Sequence, residues 1–315
     1  MATLQIPQEA PALTRPVADP NPWSGVYVPL VTPFSAREVN EAVLRELIDY
    51  LIAEGVSGLV PCGTTGESAT LAHEEHRRVI ELTVEHAAGR VPVMAGTGSN
   101  NTAEALEMTR HAEAAGADAA LAICPYYNRP NQAGLIEHFR RLAGSTSLPL
   151  LIYNIPKRTG VNMEAATVAE LARIPNIVGI KEASGDINQI MDIIRLTDEG
   201  FSVLSGDDHL LYSIMLLGGQ GGIAAAAHIA PRMWGRLVEL VDAGDIPAAR
   251  ELHYRLLPLV RVLFLEPNPA PVKAALDMLG LDVGDPRLPL LPATDSCRKA
   301  IRQQLTGLGL LAGVS

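Results

Sequence analysis

From residue 23 onward, short apolar runs alternate with longer segments in which apolar residues recur at helical spacing. The runs are continuously apolar, as is expected of parallel strands that are buried on both faces. They predict eight strands, at 25–31, 57–61, 92–95, 118–124, 149–153, 176–181, 202–205 and 222–226.

The segments between these runs are predicted to be helices. Residues 40–54, for example, place Val43, Leu44, Leu47 and Leu51 on one helical face. Eight strand–helix units with no break in composition favour an α/β fold of the (β/α)8 TIM barrel type over a doubly wound sheet, and the barrel is predicted to occupy 23–245. Similar patterns predict helices at 102–115, 132–143, 163–172, 187–197, 207–217 and 230–243.

Two flanking segments differ from the barrel in their pattern. Residues 1–22 contain five prolines and no helical period, which predicts a flexible, Pro-rich N-terminal extension. Residues 246–315 predict a C-terminal helical subdomain. Its helices are expected at 246–264, 271–279 and about 295–308.

Composition narrows the class of protein. Of the 315 residues, 48% are hydrophobic and 19% charged, which excludes wholesale disorder. The net charge of −10 argues against a nucleic-acid partner, and the absence of an 18-residue apolar run argues against a membrane span. No secretory signal pattern is present, so we expect the cytoplasm. Cys62, Cys124 and Cys297 are odd in number and widely spaced, which indicates neither a disulfide framework nor a zinc site and fits a reducing compartment.

The most specific candidate for chemistry is Lys181, at the end of the sixth predicted strand. Barrel enzymes carry their catalytic groups at the carboxyl ends of strands. Lysine is also scarce, with four among the 25 basic residues. Apolar surroundings disfavour the charged form of a lysine, so this amine is a candidate to form a Schiff base with a carbonyl substrate. The alternative is an ion pair with the neighbouring Glu182.

Other strand ends carry polar candidates with weaker individual signals. Thr64 and Thr65 lie between two glycines, where they offer hydroxyl and backbone N–H groups to a small carboxylate or form an ordinary turn. Tyr153 is placed to relay protons beside Lys181, or else it fills the barrel core. Arg158 suits bidentate binding of a carboxylate, although a solvated loop arginine is the alternative.

The segment His73-Glu74-Glu75-His76 suggests a metal site at first sight. A zinc-binding helix needs histidines at positions i and i+4, whereas these are at i and i+3. We therefore favour the exposed first turn of a helix and predict no metal site.

Six segments together match the sequence pattern of a known enzyme family. By them the chain resembles the dihydrodipicolinate synthase family of pyruvate-dependent aldolases, from about residue 23 to about residue 311. The segments are GTTGES at 63–68, PYYNRP at 125–130, YNIPKRTG at 153–160, GIKEASG at 179–185, LSGDD at 204–208 and EPNPAPVK at 266–273.

The resemblance implies a lyase that condenses pyruvate with L-aspartate 4-semialdehyde to give 4-hydroxy-tetrahydrodipicolinate, the first committed step of lysine and diaminopimelate biosynthesis. It implies that Lys181 forms a covalent imine with pyruvate, so that no cofactor is expected. Thr65, Tyr153 and Tyr127 match the family's proton relay. In that family the residue at Tyr127 comes from a neighbouring subunit, which implies a homo-oligomer, usually a tetramer.

Further positions match binding residues of the family. Thr64 and Thr65 would hold the pyruvate carboxylate, and Arg158 would receive the carboxylate of the semialdehyde. Gly206 and Ile223 match positions whose backbone faces the site. The resemblance also implies inhibition by L-lysine at an allosteric site. That site would consist of Ser68, Ala69, His73, His76, Asn100, Glu104 and Tyr126.

The chain departs from the family pattern after Ile223. The family usually continues with serine and, later, asparagine, where this chain has Ala224 and His228. This departure bears on aldehyde preference.

Two alternatives remain. One is another Schiff-base pyruvate aldolase, such as a keto-sugar-acid or sialic-acid lyase, against which Arg158 and the paired Thr64 and Thr65 argue. The other is a non-catalytic binder of a small ligand, against which the intact Lys181, Tyr153 and Thr65 argue.

Overall fold

The computed structural model describes residues 23–36 and 38–311, in which eight parallel strands form a barrel. Each of the eight predicted apolar runs contributes one of these strands, so the predicted barrel is confirmed. The predicted N-terminal extension lies outside the described residues. In chain order the strands are β1 (Gly25–Pro29), β2 (Phe34–Ser35), β3 (Glu38–Val39), β4 (Gly58–Val60), β5 (Met94–Gly96), β6 (Ala119–Ile123), β7 (Leu150–Asn154), β8 (Ile177–Glu182), β9 (Ser202–Ser205) and β10 (Gly221–Ile223).

The barrel strands pair in the order β4-β1-β10-β9-β8-β7-β6-β5. The barrel closes between β4 and β5, where Leu59 N donates to Pro92 O at 3.0 Å and Gly96 N donates to Pro61 O at 2.9 Å. Strands β2 and β3 form a separate antiparallel pair that the hydrophobic pattern does not predict. Closure brings the carboxyl ends of all eight barrel strands to one rim.

Helices surround the barrel and continue beyond it. The segment predicted as one helix at 207–217 begins with a 3-10 turn at Asp208–Leu210, and the short α5 was not predicted. The helices are α1 (Glu41–Ala53), α2 (His73–Ala87), α3 (Thr102–Ala114), α4 (Gln132–Ala143), α5 (Pro156–Thr159), α6 (Ala165–Leu171), α7 (Ile187–Leu196), α8 (Leu211–Leu216), α9 (Pro231–Asp242), α10 (Ile246–Leu263), α11 (Ala270–Met278) and α12 (Asp295–Gly307).

Alternate residues of each strand divide the core into two layers. The larger layer packs between the strands and the surrounding helices, and the smaller fills the barrel interior. Tyr153 belongs to the interior layer, and its register partner on β8 is Lys181. Neighbouring strands therefore aim both side chains into the barrel, close to its carboxyl rim.

The three last helices form the predicted C-terminal segment, which returns to the barrel rim. Between α10 and α11, the Asn268 side chain donates a hydrogen bond to the Thr65 hydroxyl, 2.9 Å away. In α11, the Lys273 Nζ lies 2.7 Å from a carboxylate oxygen of Glu67. The segment thus holds the loop that follows β4. Among the described residues, no helix is both long enough and apolar enough to cross a membrane.

Candidate active site

Lys181 is enclosed at the carboxyl end of the barrel interior. Its side chain comes from the fifth residue of β8, and the residue is only 5% exposed. The Nζ atom lies 4.2 Å from the centre of the Tyr153 ring, at a distance suited to a cation–π contact. This arrangement agrees with the prediction that the two side chains are neighbours.

Glu182 points to the opposite face of β8, as strand alternation requires. The Asn154 side-chain amide donates to both of its carboxylate oxygens, at 3.3 and 3.0 Å, and Ser184 N donates to one of them at 2.7 Å. Burial raises the pKa of the Glu182 carboxyl, and these hydrogen bonds oppose that change. An ion pair with Glu182 is therefore not what holds Lys181.

A small cavity of about 80 Å³ lies against Lys181 and Tyr153. A Cβ atom added at Gly206 would lie 3.1 Å from Lys181 Cε and 2.8 Å from Ala183 Cβ, so a larger residue would crowd the lysine. Seven of the residues singled out from the sequence line this cavity. They are Thr64, Thr65, Tyr153, Arg158, Lys181, Gly206 and Ile223.

The acidic residues after β9 add charge to this cavity. Asp208 is buried and accepts hydrogen bonds from Ala226 N at 2.6 Å and Ala225 N at 3.3 Å. Burial raises its pKa to about 6, against the lowering effect of those hydrogen bonds and of the Lys181 charge. Asp207 forms an ion pair with Lys157, at 2.6 Å. The sequence places both carboxylates at the correct rim but indicates no specific role for them.

Asn268 is a cavity residue to which sequence reasoning assigned no role. It comes from the C-terminal segment, is 7% exposed, and donates to the Thr65 hydroxyl. The only signal in the sequence is its place in the EPNPAPVK segment that resembles the family. Nothing in hydrophobic periodicity links positions 203 residues apart.

A second and larger cavity, of about 370 Å³, adjoins the first. Thr64, Arg158 and Asn268 line both cavities, so the two share a wall. Five residues of the predicted lysine site line the larger one, and two do not. The lining residues are Ser68, Ala69, His76, Glu104 and Tyr126.

The two remaining residues of the predicted lysine site lie beside that cavity. His73 Nε2 is 3.2 Å from Glu104 Oε1, and the His73 side chain is half exposed. Asn100 accepts a hydrogen bond from the Asn128 amide through its backbone oxygen, at 2.9 Å. The geometry therefore places His73 next to the acid that faces the cavity, whereas Asn100 is connected to the Tyr126–Tyr127 loop.

The prediction of an exposed first helical turn is correct for His73 and wrong for His76. Helix α2 begins at His73, but His76 is buried, and its Nε2–H donates to Gly96 O at 2.8 Å. Burial lowers the pKa of His76, so the neutral ring is favoured. The helical phase turns His76 inward, against the end of β5. Among residues 23–36 and 38–311 no cluster of three or more His, Cys, Asp or Glu has a geometry suited to a metal ion.

Tyr127 does not reach the Lys181 cavity of its own chain. Its side chain is 88% exposed, and its backbone has a φ of 69°, in the left-handed region that is unfavourable for a tyrosine. The backbone N–H donates to Thr159 O at 3.4 Å. The loop therefore projects this aromatic side chain away from the chain's own site.

The two residues that depart from the family pattern lie behind the cavity. His228 is fully buried, accepts from Val31 N at 3.1 Å, and donates from Nδ1 to Ala225 O at 2.8 Å. Burial lowers its pKa to about 4, so the ring is neutral at pH 7. Ala224 is also buried, and its N–H donates to Tyr27 O at 3.0 Å. His228 thus supports the turn that presents Ala225 N and Ala226 N to Asp208.

Comparisons with known proteins converge on one family. The model of the dihydrodipicolinate synthetase family matches residues 22–308. A 4-hydroxy-tetrahydrodipicolinate synthase from Syntrophus aciditrophicus (strain SB) is 52% identical over 289 residues, which cover 92% of this chain and 99% of that relative.

Solved structures show the same similarity. A dihydrodipicolinate synthase from Cyanidioschyzon merolae with lysine bound has a TM-score of 0.90 and 41% identity, and the match covers 92% of this chain and 99% of that one. The chloride-inhibited dihydrodipicolinate synthase from Acinetobacter baumannii, complexed with pyruvate, has a TM-score of 0.89 and 40% identity, covering 91% and 99% of the two chains.

Proposed function

The chain belongs to the dihydrodipicolinate synthetase family, and we propose that it condenses pyruvate with L-aspartate 4-semialdehyde to give 4-hydroxy-tetrahydrodipicolinate. The observation that carries this proposal is the enclosed Lys181 amine, which shares one small cavity with Tyr153, Thr65 and Arg158. In this role the enzyme is a lyase of lysine and diaminopimelate biosynthesis. We place it in the cytoplasm, where pyruvate is available.

The first stage forms an imine on Lys181. The Nζ lone pair attacks the C2 carbonyl of pyruvate, and loss of water leaves a protonated imine. This cation accepts the electron pair of a C3–H bond when the proton leaves, which gives an enamine. Because the imine is itself the electron sink, the proposed chemistry needs no cofactor.

The second stage forms the carbon–carbon bond. The enamine C3 attacks the aldehyde carbon of the semialdehyde, whose oxygen takes up a proton and becomes the 4-hydroxyl group. The amino group of the semialdehyde then displaces the Lys181 amine from C2, which closes the ring and frees the enzyme. The overall reaction releases one water, the one that was lost when the imine formed.

Binding groups around Lys181 fit the two substrate carboxylates. Thr64 and Thr65 offer hydroxyl and backbone N–H groups to the pyruvate carboxylate. Arg158 lies on the outer wall, where its guanidinium suits a bidentate contact with the carboxylate of the semialdehyde. Gly206 and Ile223 complete the wall and leave room for the imine. Arg158 also favours this aldehyde over the substrates of the sialic-acid lyase type.

The proton relay is proposed to need a second copy of the chain. Thr65 and Tyr153 line the cavity, whereas Tyr127 projects into solvent and is 88% exposed. A homo-oligomer, which we propose to be a tetramer built from two dimers, would place Tyr127 of one subunit at the site of its neighbour. Mixing inactive Tyr127→Phe and Lys181→Ala proteins tests this. Reassembled dimers would contain one complete site and recover part of the activity, whereas independent subunits would recover none.

The larger cavity is proposed to bind L-lysine as an inhibitor. Glu104 offers a carboxylate to an ammonium group, and Ser99 Oγ, which donates to Glu104 at 2.5 Å, fixes its orientation. The cavity shares Thr64 and Arg158 with the catalytic cavity, so an occupant can act on substrate binding directly. The similarity to a lysine-bound relative supports this assignment.

The test of the proposed function is turnover by the purified protein. Consumption of aspartate semialdehyde is followed with pyruvate present, coupled to the next reductase, with and without L-lysine. Pyruvate-dependent turnover that L-lysine inhibits supports the proposal. Turnover with a keto-sugar acid or sialic acid instead would support the other aldolases. An intact, folded protein without any pyruvate-dependent reaction would support a non-catalytic binder.

A further inference from the structure

Two of the chain's four lysines line the Lys181 cavity, and the imine chemistry described above uses one of them. The other, Lys157, is the second residue of α5, and its side chain is 58% exposed, which places it at the outer end of the cavity. Its Nζ atom donates to Asp207 Oδ1 at 2.6 Å. Asp207 lies in the loop after β9, so the ion pair joins two separate loops of the carboxyl rim.

The Asp207 carboxylate depends on Lys157 for the compensation of its charge. Asp207 is buried, and within the described part of the chain Lys157 Nζ is the only hydrogen-bond donor to its side chain. The next residue differs, because the Asp208 carboxylate accepts hydrogen bonds from two backbone N–H groups. A charge with little access to water is costly unless a partner compensates it. Loss of Lys157 would therefore leave Asp207 as an uncompensated anion.

The position of this ion pair suits an effect on the cavity better than an effect on the fold. Ion pairs with an exposed partner contribute little to stability, because water screens them. Apart from Lys181, the cavity wall carries two cations, Lys157 and Arg158, and two carboxylates, Asp207 and Asp208. Without Lys157 the negative charges would outnumber the positive ones. The wall would then disfavour a bound anion.

We propose that Lys157 is a positioning residue for anionic substrates, because it neutralises Asp207 and so prevents this carboxylate from repelling a substrate carboxylate in the Lys181 cavity. The proposal rests on the proposed function, in which pyruvate and the semialdehyde each bring a carboxylate into this cavity. Lys157 acts through Asp207 and does not itself bind the substrate. The ion pair thereby favours keto acids over neutral carbonyl compounds.

The direct consequence is weaker binding of pyruvate when Lys157 loses its charge. An uncompensated charge a few ångströms from a bound anion weakens binding by about 10-fold at the effective dielectric constant of a protein surface. In Lys157→Ala the pyruvate concentration that half-saturates imine formation should therefore rise by about 10-fold. Lys157→Met keeps the length of the side chain and should show the same loss. Lys157→Arg keeps the charge and should stay within about 2-fold of wild type.

A double-variant cycle distinguishes action through Asp207 from direct contact with the substrate. In the Asp207→Asn background no carboxylate remains to be neutralised, so Lys157→Ala should change the half-saturating concentration by less than about 2-fold. If Lys157 bound the substrate carboxylate directly, its removal would cost as much in this background as in wild type. Equal losses in the two backgrounds would therefore overturn the proposal.

The readout is reduction of the imine by cyanoborohydride over a range of pyruvate concentrations at pH 8. The adduct on Lys181 is quantified by mass spectrometry of the peptides. The measurement needs the imine but no aldehyde, so an error in the aldehyde assignment does not affect it. Lys299→Ala removes an exposed lysine of α12 that does not line the cavity, and it controls for the lost charge. Equal melting temperatures would show that the variants are folded.

Salt separates an electrostatic role from a structural one. Mobile ions screen exposed charges, so the difference between wild type and Lys157→Ala should fall below about 3-fold when NaCl is raised from about 20 mM to about 500 mM. A loss that does not change with salt, or an unchanged half-saturating concentration in Lys157→Ala, would overturn the proposal. A wild-type protein that forms no adduct on Lys181 would contradict the proposed function, and this inference would fall with it.

Discussion

The two adjoining cavities differ in how deeply their candidate functional side chains are buried. The Lys181 cavity is about 80 Å³, and the groups at its inner end are buried: a lysine, a tyrosine and an aspartate whose pKa is raised to about 6. The larger cavity, about 370 Å³, is lined in part by half-exposed side chains such as Glu104 and Tyr126. Burial suits covalent chemistry on a small keto acid, since it strengthens electrostatic effects on the reacting atoms. Half-exposed charges suit reversible binding of a small ion.

Their shared wall explains how one cavity can influence the other. Thr64, Arg158 and Asn268 line both. An occupant of the larger cavity therefore needs no long-range structural path to reach groups that we propose to bind substrate. Each cavity can still be tested separately through residues that line only one of them, such as Lys181 in the smaller cavity and Glu104 in the larger.

The largest effect is expected at Lys181. Lys181→Ala removes the proposed nucleophile, and we expect turnover to fall by about 10⁴-fold or more. Binding of L-lysine in the larger cavity, measured by calorimetry, should stay within about 3-fold of wild type, because Lys181 does not line that cavity. Lys299→Ala, which removes an exposed lysine of α12 that lines neither cavity, is the matched control. Turnover in the Lys181→Ala protein close to that of wild type would show that the imine is formed elsewhere.

The next effect concerns stability behind the Lys181 cavity. Burial lowers the pKa of His228 to about 4, below its ordinary value of 6.5. The folded state therefore binds fewer protons than the unfolded state between these values. The contribution of the neutral His228 ring to the free energy of unfolding is fully present above pH 6.5. It is lost as the pH falls through 4, which lowers the free energy of unfolding by about 3 kcal/mol.

Urea unfolding of wild type and His228→Asn from pH 7 to pH 4 measures that contribution. The advantage of wild type over the variant should shrink by about 3 kcal/mol across this range. His138, whose pKa burial also lowers to about 4, is present in both proteins and cancels in the difference. A constant difference across the range would show that His228 does not titrate in this way.

A smaller effect is expected at the shared wall. Arg158→Ala removes the proposed charged partner of the semialdehyde carboxylate, and kcat/KM for the aldehyde should fall by about 30-fold. Trapping of pyruvate on Lys181 should stay near the wild-type rate, because imine formation precedes aldehyde binding. Arg173→Ala, on the exposed segment after α6, is the control. If kcat/KM for the aldehyde and the rate of pyruvate trapping fell equally, Arg158 would maintain the shape of the cavity and would not act specifically on the aldehyde.

The smallest effect should be confined to the larger cavity. Glu104→Gln keeps the shape and removes the charge that faces an ammonium group, so inhibition by L-lysine should weaken by about 10-fold. Turnover without L-lysine should remain within about 2-fold of wild type. Glu107→Gln, on the outer face of the same helix α3, should leave both quantities unchanged. Unchanged inhibition in the Glu104→Gln protein would show that L-lysine does not act from this cavity.

The barrel and its rim could be predicted from the sequence because both depend on local pattern. Continuous apolar runs indicate buried parallel strands, and the residue after each run lies at the carboxyl rim. Lys181 and Tyr153 were found in this way, and their register pairing across β7 and β8 brings them together. The antiparallel pair β2–β3 was missed because two-residue strands leave no period to detect.

Contacts between distant segments could not be predicted from the same pattern. The hydrogen bond from Asn268 to Thr65 and the ion pair between Glu67 and Lys273 each join the C-terminal segment to the loop after β4. No periodicity relates such positions. His76 was placed in an exposed turn because the phase of α2 against β5 decides its burial, and that phase is a property of the packing.

The proposed reaction depends on a covalent imine between Lys181 and pyruvate. Its most direct test is borohydride reduction of the native protein with pyruvate present, followed by proteolysis and mass spectrometry of the peptides. We expect one reduced pyruvate adduct, located on Lys181, and none in protein that was reduced without pyruvate. An adduct on Lys157, Lys273 or Lys299, or an unmodified Lys181 in folded protein, would contradict it.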